Sequence, residues 1–279
     1  MYEVIFLFVL AFIWILFASL QDLKHREVAN WISFSLIIFA LAFRLFYCLF
    51  SDSGDWGFFY QGLIGLGIFF ILGNIFYYSR IFAGGDAKLM IALGTILPIY
   101  PIFYDNLVFY AIFFLIFLFI GSFYGIAWSI GLSVKNFKEL KKEFKKKIRK
   151  ERKVSYFFII LGIIILVLGI IDSLFYVFGL LVLLVPFILV YAKAVEEVCM
   201  IKEVSTKELE EGDWLYEDVK LKGRVIKANW EGLSLEEIKF IRKEHRNIKI
   251  KQGIPFVPVF LISFVILVYF YFFISSAFY

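Results

Sequence analysis

The sequence predicts an all-α polytopic membrane protein with six to eight transmembrane helices and a small α+β cytoplasmic domain. Of its 279 residues 62% are hydrophobic, including 37 Phe, 16 Tyr and 6 Trp. A water-soluble domain of this length could not cover so much apolar surface with the few polar residues left, so the bilayer must be the solvent for most of the chain. The apolar residues also fall into runs of the length that a bilayer requires, about 20 helical residues.

Seven apolar runs are separated by polar or charged segments. The run 154–193 is twice the length that one crossing needs and is interrupted by the sequence GIIDS, so we expect two helices that turn near Asp172. Eight candidate spans result. The runs are 3–20, 30–50, 58–78, 87–104, 107–134, 154–193 and 254–276.

The basic residues predict the orientation of these spans. With the N-terminus outside, segment 135–153 holds 11 Lys and Arg and segment 193–253 holds 13, and both lie in the cytoplasm. The outer loops, which include 51–57, then carry no Lys or Arg, and Arg44 near the outer end of the second span is the one exception. Such one-sided sorting is typical of the positive-inside rule.

The same threading divides the chain into three parts. We expect residues 1–193 to form a transmembrane domain with the basic cytoplasmic loop at 135–153, residues 194–253 a small cytoplasmic domain, and residues 254–279 a C-terminal transmembrane helix. The candidate catalytic residues described below lie in the first of these domains. In the small domain VKLKGRVIKA alternates as strands do, and SLEEIKFIRKEH is typical of a helix whose Ser234 and Glu237 make a capping box.

The basic loop 135–153 predicts contacts with anionic lipid headgroups on the cytoplasmic side. Its sequence, KNFKELKKEFKKKIRKERK, has 11 basic and 3 acidic residues. A nucleic-acid partner is not predicted, because no nucleic-acid-binding motif accompanies the charge.

Two aspartates fall at the cytoplasmic membrane boundary. Asp86 follows Gly84-Gly85 and is expected at a helix N-cap or in the first turn, where a carboxylate is favoured. Asp22 lies at a helix C-terminus, where a negative charge is disfavoured, although the basic residues at 24–26 could offset that cost. Each position has a structural explanation alone, but two acids at one depth on one face favour a functional pair.

Two carboxyl groups that approach each other do not both ionise readily, so one keeps a proton. This arrangement suits an aspartic protease, in which the ionised carboxylate takes a proton from water and the protonated one polarises the scissile carbonyl. Gly84 and Gly85 have no β-carbon, so we expect them to let the backbone approach a bound peptide and to aim Asp86 at it.

The segments AGGDAKLM and QDLKHREVANWI resemble the two catalytic motifs of the type IV prepilin peptidases, which are membrane aspartic proteases. The tail, from STKELEEGDWLYEDV through GLSLEEI to GIPFVPVF, is similar to the archaeal preflagellin and prepilin peptidases. The resemblance implies that Asp22 and Asp86 are the catalytic pair, facing the cytoplasm. The sequence departs from the family's GxGD motif at its first glycine, where Ala83 stands.

The resemblance also implies a substrate, the class III signal peptide of preflagellins or prepilins, which joins a short basic segment to a long apolar helix. Gly84 and Gly85 would contact this peptide, and Glu27 is a candidate partner for its basic residues. No metal or other cofactor is expected, because the two cysteines, Cys48 and Cys199, cannot build the tetracysteine site of bacterial relatives.

The sequence leaves two alternative functions open. A presenilin-type intramembrane protease shares the GxGD motif, but no Pro-Ala-Leu segment is present and the first motif matches the prepilin peptidases. An ion or solute transporter could use Asp22 and Asp86 as a coupling pair, but transporters usually place such acids near the bilayer midplane.

Overall fold

The computed structural model describes residues 2–51 and 55–277, with side chains up to residue 273. Residues 52–54 of the predicted outer loop 51–57 lie outside the described residues. The helices are α1 Tyr2–His25, α2 Asn30–Phe50, α3 Gly57–Tyr78, α4 Gly84–Leu93, α5 Phe103–Lys135, α6 Phe137–Lys150, α7 Arg152–Leu168, α8 Leu174–Cys199, α9 Leu235–Glu244 and α10 Val257–Ala277. The strands are β1 Ile201–Ser205, β2 Trp214–Leu215, β3 Val219–Leu221, β4 Arg224–Ile226 and β5 Asn247–Lys251.

The predicted fold class is confirmed. Among the described residues five helices, α1, α2, α3, α5 and α8, are long and apolar enough to cross a membrane, and a shorter apolar stretch covers 257–273 of α10. A small region with strands precedes α10. The chain is therefore a multi-pass membrane protein with a small α+β region.

The chain divides into two compact units. The first comprises residues 1–125 with 254–279, and the second comprises residues 126–253. The boundary predicted after residue 193 falls inside the second unit.

In the first unit, the predicted span 87–104 is wrong as a continuous helix. The helix α4 ends at Leu93, and the chain then runs through irregular turns to Phe103, because Pro98 and Pro101 lack the amide protons that helical hydrogen bonding needs. Irregular backbone at membrane depth is tolerated only where its polar groups are satisfied by protein. Residues 95–98 are fully or almost fully buried.

Arg44 supplies those hydrogen bonds. Its guanidinium is completely buried and donates to the carbonyl oxygens of Thr95 at 2.8 Å, Ile96 at 3.2 Å and Pro98 at 2.6 Å. A fourth bond, of 2.7 Å, reaches the carbonyl oxygen of Phe58 at the start of α3. The exception to the charge sorting is thus explained, because this arginine binds backbone inside the protein instead of facing an outer loop.

The contact between α3 and the end of α4 depends on two glycines. A β-carbon on Gly65 of α3 would lie 2.2 Å from the carbonyl oxygen of Gly94, and one on Gly94 would lie 2.5 Å from the carbonyl oxygen of Gly65. The absence of both β-carbons allows α3 to touch the end of α4 backbone to backbone.

Aromatic residues pack α10 along α1. The ring of Phe8 contacts Phe264 and Tyr271 edge-on, with centroids 5.8 and 5.4 Å apart. This packing brings the start of α10 next to the end of α1.

In the second unit, α7 and α8 form the predicted hairpin. The turn lies at Asp172, whose Oδ1 accepts the amide proton of Leu174 at 2.9 Å. Gly162 and Gly179 leave room for close contact, since a β-carbon on either would lie 2.7 Å from a leucine of the facing helix.

The basic segment predicted as a loop is mostly helical. In α6 the apolar Leu140 and Phe144 pack with Ala194 and Val195 of α8, while most of the lysines face outward. Leu140, Phe144 and Ile148 recur every four residues, with no Gly or Pro between them, which accounts for the helix.

The small region contains a three-stranded antiparallel sheet in the order β1-β5-β2 and a β3-β4 hairpin. The capping box predicted at Ser234 and Glu237 begins α9. The hydrophobic core of this small region is aliphatic and includes Leu215, Ile238, Ile241 and Ile250.

Candidate active site

Asp22 is buried at the junction of α1 and α10. Its side chain lies three residues before the end of α1, and the residue is 5% exposed. The amide of Val257, the first residue of α10, donates a hydrogen bond of 2.9 Å to Asp22 Oδ2. From the sequence, this negative charge was expected at the C-terminus of α1, where it is disfavoured. In the structure it also lies at the N-terminus of α10, where a negative charge is favoured.

The chain turns sharply after Asp22. Arg26 adopts a left-handed conformation with φ 64°, and its amide donates to the carbonyl oxygen of Asp22 at 2.8 Å, which ends α1. The amide of Ala29 donates to Gln21 Oε1 at 3.1 Å, so the link to α2 stays close to the end of α1.

Asp86 occupies the first turn of α4, as predicted. The N-cap is Ala83, in an extended conformation, and the Asp86 carboxylate reaches back to the Ala83 backbone. Lys88, half a turn further along, donates to Asn30 Oδ1 of α2 at 2.6 Å and ties the start of α4 to the start of α2.

The fold brings Asp22 and Asp86 into one neighbourhood. A β-carbon on Gly85 would lie 3.2 Å from Val28 on the link after Asp22, and this close approach puts the two carboxyl groups within electrostatic range of each other. Among the described side chains no hydrogen bond joins them. Arg26 provides a positive charge near Asp22, and Tyr124 of α5 lies within electrostatic range of the same carboxylate. Two neighbouring carboxyl groups in poorly solvated surroundings can divide one proton between them and act as a base and an acid.

The two glycines before Asp86 differ in their surroundings. Both lie in the first turn of α4 with ordinary helical backbone, so no left-handed conformation calls for glycine. A β-carbon on Gly85 would lie 3.2 Å from the β-carbon of Val28, whereas one on Gly84 would meet only Tyr77, at 3.8 Å. Gly85 therefore lets α4 approach the link that follows Asp22.

Glu27 is exposed on the link between α1 and α2, five residues after Asp22. Within residues 2–51 and 55–277 no group of three or more His, Cys, Asp and Glu side chains could hold a metal ion.

Sequence reasoning missed two neighbours of Asp22. The Val257 amide belongs to the backbone and is 235 residues away in the chain, so no side-chain pattern could indicate it. Tyr124 lies in a long apolar run. Because the whole chain contains 16 Tyr and 37 Phe, nothing in the sequence distinguishes this tyrosine from the other aromatic residues.

Comparison with known proteins places this site inside a matched region. The type IV leader peptidase family matches residues 9–130, which contain Asp22, Asp86 and both glycines. The start of α10 lies outside the match.

Two curated relatives are similar over a shorter stretch. A preflagellin peptidase of Methanocaldococcus jannaschii is 32% identical over 93 residues, which are 33% of this chain and 38% of that protein. A preflagellin peptidase of Methanococcus maripaludis is 32% identical over 84 residues, 30% of this chain and 35% of that protein. The chain thus matches little more than a third of the length of either relative. No solved structure matches it significantly.

Proposed function

We propose that this chain is a membrane aspartic endopeptidase of the type IV leader peptidase family, which matches residues 9–130. Its substrates are preflagellins or prepilins, whose class III signal peptides it removes. The two relatives named as preflagellin peptidases support this substrate class. The observation that carries the proposal is the pair of interacting carboxyl groups, Asp22 and Asp86, at neighbouring helix ends in the matched region.

In the proposed reaction the pair activates water without a metal or other cofactor. One carboxylate removes a proton from water as the oxygen attacks the scissile carbonyl carbon, and the other carboxyl gives its proton to the carbonyl oxygen. The tetrahedral intermediate then collapses, the leaving nitrogen takes a proton, and the C–N bond breaks. Both carboxyl groups end the cycle as they began it.

The cleavage takes place on the cytoplasmic side of the cell membrane. The support is the distribution of Lys and Arg, which favours cytoplasmic ends for α1 and for the segment before α4. A substrate with its apolar helix in the bilayer and its basic segment in the cytoplasm presents its junction at this depth. Gly84 and Gly85 border the peptide there, and the exposed Glu27 attracts its basic residues.

The basic face of α6 binds anionic lipid headgroups. Glu143 and Glu151 are paired with Lys146 and Lys193, at 3.1 and 2.6 Å, which leaves Glu139 as the remaining acid of segment 135–153 against a larger number of exposed cations. Each such cation near an anionic leaflet contributes about 1 kcal/mol. The exposed cations of α6 are Lys138, Lys141, Lys142, Lys145, Lys146, Arg149 and Lys150.

A cleavage assay with purified protein tests the peptidase proposal. The substrate is a precursor with a short basic segment before an apolar helix, and mass spectrometry locates the cut. We expect one cut, just before the apolar helix, that persists in EDTA and is absent with Asp86→Asn. A cut within the apolar helix would indicate a presenilin-type protease instead, and no cut by folded wild-type protein would contradict the proposal.

A further inference from the structure

The start of α10 contacts the candidate catalytic pair through backbone. Val257 is 1% exposed, and its amide donates to Asp22 Oδ2 at 2.9 Å. The amide of Phe256 faces the same carboxylate. Pro255 and Pro258 flank these two residues and have no amide proton. The amide donors of residues 255–258 are therefore those of Phe256 and Val257, and both are directed at Asp22.

A second contact fixes the other backbone polar group of Val257. Ser19 lies one turn before Asp22 in α1 and donates from Oγ to the carbonyl oxygen of Val257 at 3.4 Å. The following residues of α10, Val259 and Phe260, are fully buried. Side chains on one turn of α1 therefore bind both the amide and the carbonyl of Val257 within a packed core.

The charges around the two acids are unequal. Asp22 is near Arg26, accepts the Val257 amide and lies at the positive end of α10, and these three favour its ionised form against its burial, which disfavours a charge. Asp86 has the first turn of its own helix but faces the charge of Asp22. Tyr124 is a further titratable group near Asp22.

We propose that the Val257 amide is a positioning group that holds Asp22 as the ionised member of the pair, so that Asp22 is the base and Asp86 the acid. This inference rests on the proposed function. Asp22 removes the water proton, and Asp86 protonates the carbonyl oxygen of the scissile peptide. On collapse Asp22 passes its proton to the leaving nitrogen and Asp86 recovers a proton from the intermediate's hydroxyl. The segment around residues 255–258 thereby becomes a third part of the active site.

Val257→Pro deletes the donor at a position where proline is well tolerated, the first residue of a helix. The matched control, Val257→Ala, shortens the side chain and keeps the amide. We expect Val257→Pro to lower kcat roughly 10- to 100-fold, as for loss of one hydrogen bond to a charged group, with KM little changed. The acidic limb of its kcat–pH profile should move to higher pH by about one unit.

Val257→Ala keeps the amide, so the acidic limb of its kcat–pH profile should stay at the wild-type position, although the lost packing lowers its melting temperature and its rate. A wild-type kcat and pH profile in folded Val257→Pro would overturn the proposal, and so would an equal shift in Val257→Ala, which would assign the effect to packing. If Val257→Pro does not fold, Ser19→Ala decides: a smaller shift in the same direction supports the proposal, and an unchanged profile overturns it. Failure of the proposed function is distinguishable, because the wild-type protein would then cut no precursor.

Discussion

Gly84 and Gly85 precede the same aspartate but serve different structural needs. Only Gly85 is close enough to Val28 that an added β-carbon would press on the link after Asp22. The space between α4 and that link, rather than an unusual backbone angle, explains a glycine at position 85.

Gly85→Ala should impair catalysis more than Gly84→Ala. The alanine β-carbon at 85 would have to displace Val28 by a few tenths of an ångström and would shift Asp86 relative to Asp22. We expect kcat to fall by about tenfold or more, since small misplacements of catalytic groups have effects of that size. Precursor cleavage kinetics measure this, with Gly84→Ala as the matched control. Equal effects of the two substitutions would contradict the close-approach explanation.

The sequence predicts those interactions of single residues that depend on neighbours close by in the chain. Asp86 in the first turn of α4 and the Ser234–Glu237 capping box both follow from neighbours within four residues. The bond from Val257 to Asp22 could not be predicted, because it depends on how α10 packs against α1.

Among the helices and their links, the irregular stretch between α4 and α5 depends on Arg44. Arg44→Met removes four donated hydrogen bonds and leaves buried carbonyl groups unsatisfied, each at a cost of about 1–3 kcal/mol. We expect a large loss of thermal stability in detergent. Arg44→Lys should recover part of it, because an ammonium group has donors but lacks the planar fork.

Lys88→Met is the control for Arg44→Met, since it removes one exposed hydrogen bond, to Asn30. Similar melting temperatures for Arg44→Met and Lys88→Met would show that Arg44 does not support the stretch after α4.

The contact between α3 and the end of α4 allows a second test. Gly65→Ala would place a β-carbon 2.2 Å from the Gly94 carbonyl oxygen, whereas a β-carbon on Gly67, two residues away, has open space within 4 Å. We expect Gly65→Ala to lower the free energy of unfolding by about 1–3 kcal/mol or more, the usual cost of overpacking, and Gly67→Ala to be nearly neutral. Reversible unfolding in mixed detergent measures the difference, and equal stability of the two variants would rule out the proposed backbone contact.

Helices could be predicted where the length of an apolar run determines how many of them it can form. The α7–α8 hairpin and its turn at Asp172 follow from a run of 40 apolar residues. The end of α4 at Leu93 was not predicted, because hydrophobic length alone does not register Pro98 and Pro101, and because the distant Arg44 makes irregular backbone tolerable there.

For the whole molecule, the sorting of Lys and Arg predicts which side of the membrane each loop faces. In a background with Cys48→Ala and Cys199→Ser, a cysteine replacing the exposed Tyr104 should react with an impermeant thiol reagent added to intact cells. A cysteine replacing Lys145 on α6 should react only after lysis. Labelling of position 145 in intact cells would invert the orientation and place Asp22 and Asp86 on the outer side.

The proposed mechanism requires that Asp22 and Asp86 act together as a catalytic pair. Its most direct test is single-turnover cleavage of a precursor by Asp22→Asn, by Asp86→Asn and by the double variant, with Asp105→Asn in the first turn of α5 as the matched control. Each single variant should lose roughly 100- to 10,000-fold in rate, the range of general acid–base catalysis, and the double variant should lose no more than either. Asp105→Asn should cleave at the wild-type rate. A folded Asp22→Asn or Asp86→Asn variant that keeps most of the wild-type rate would contradict the account.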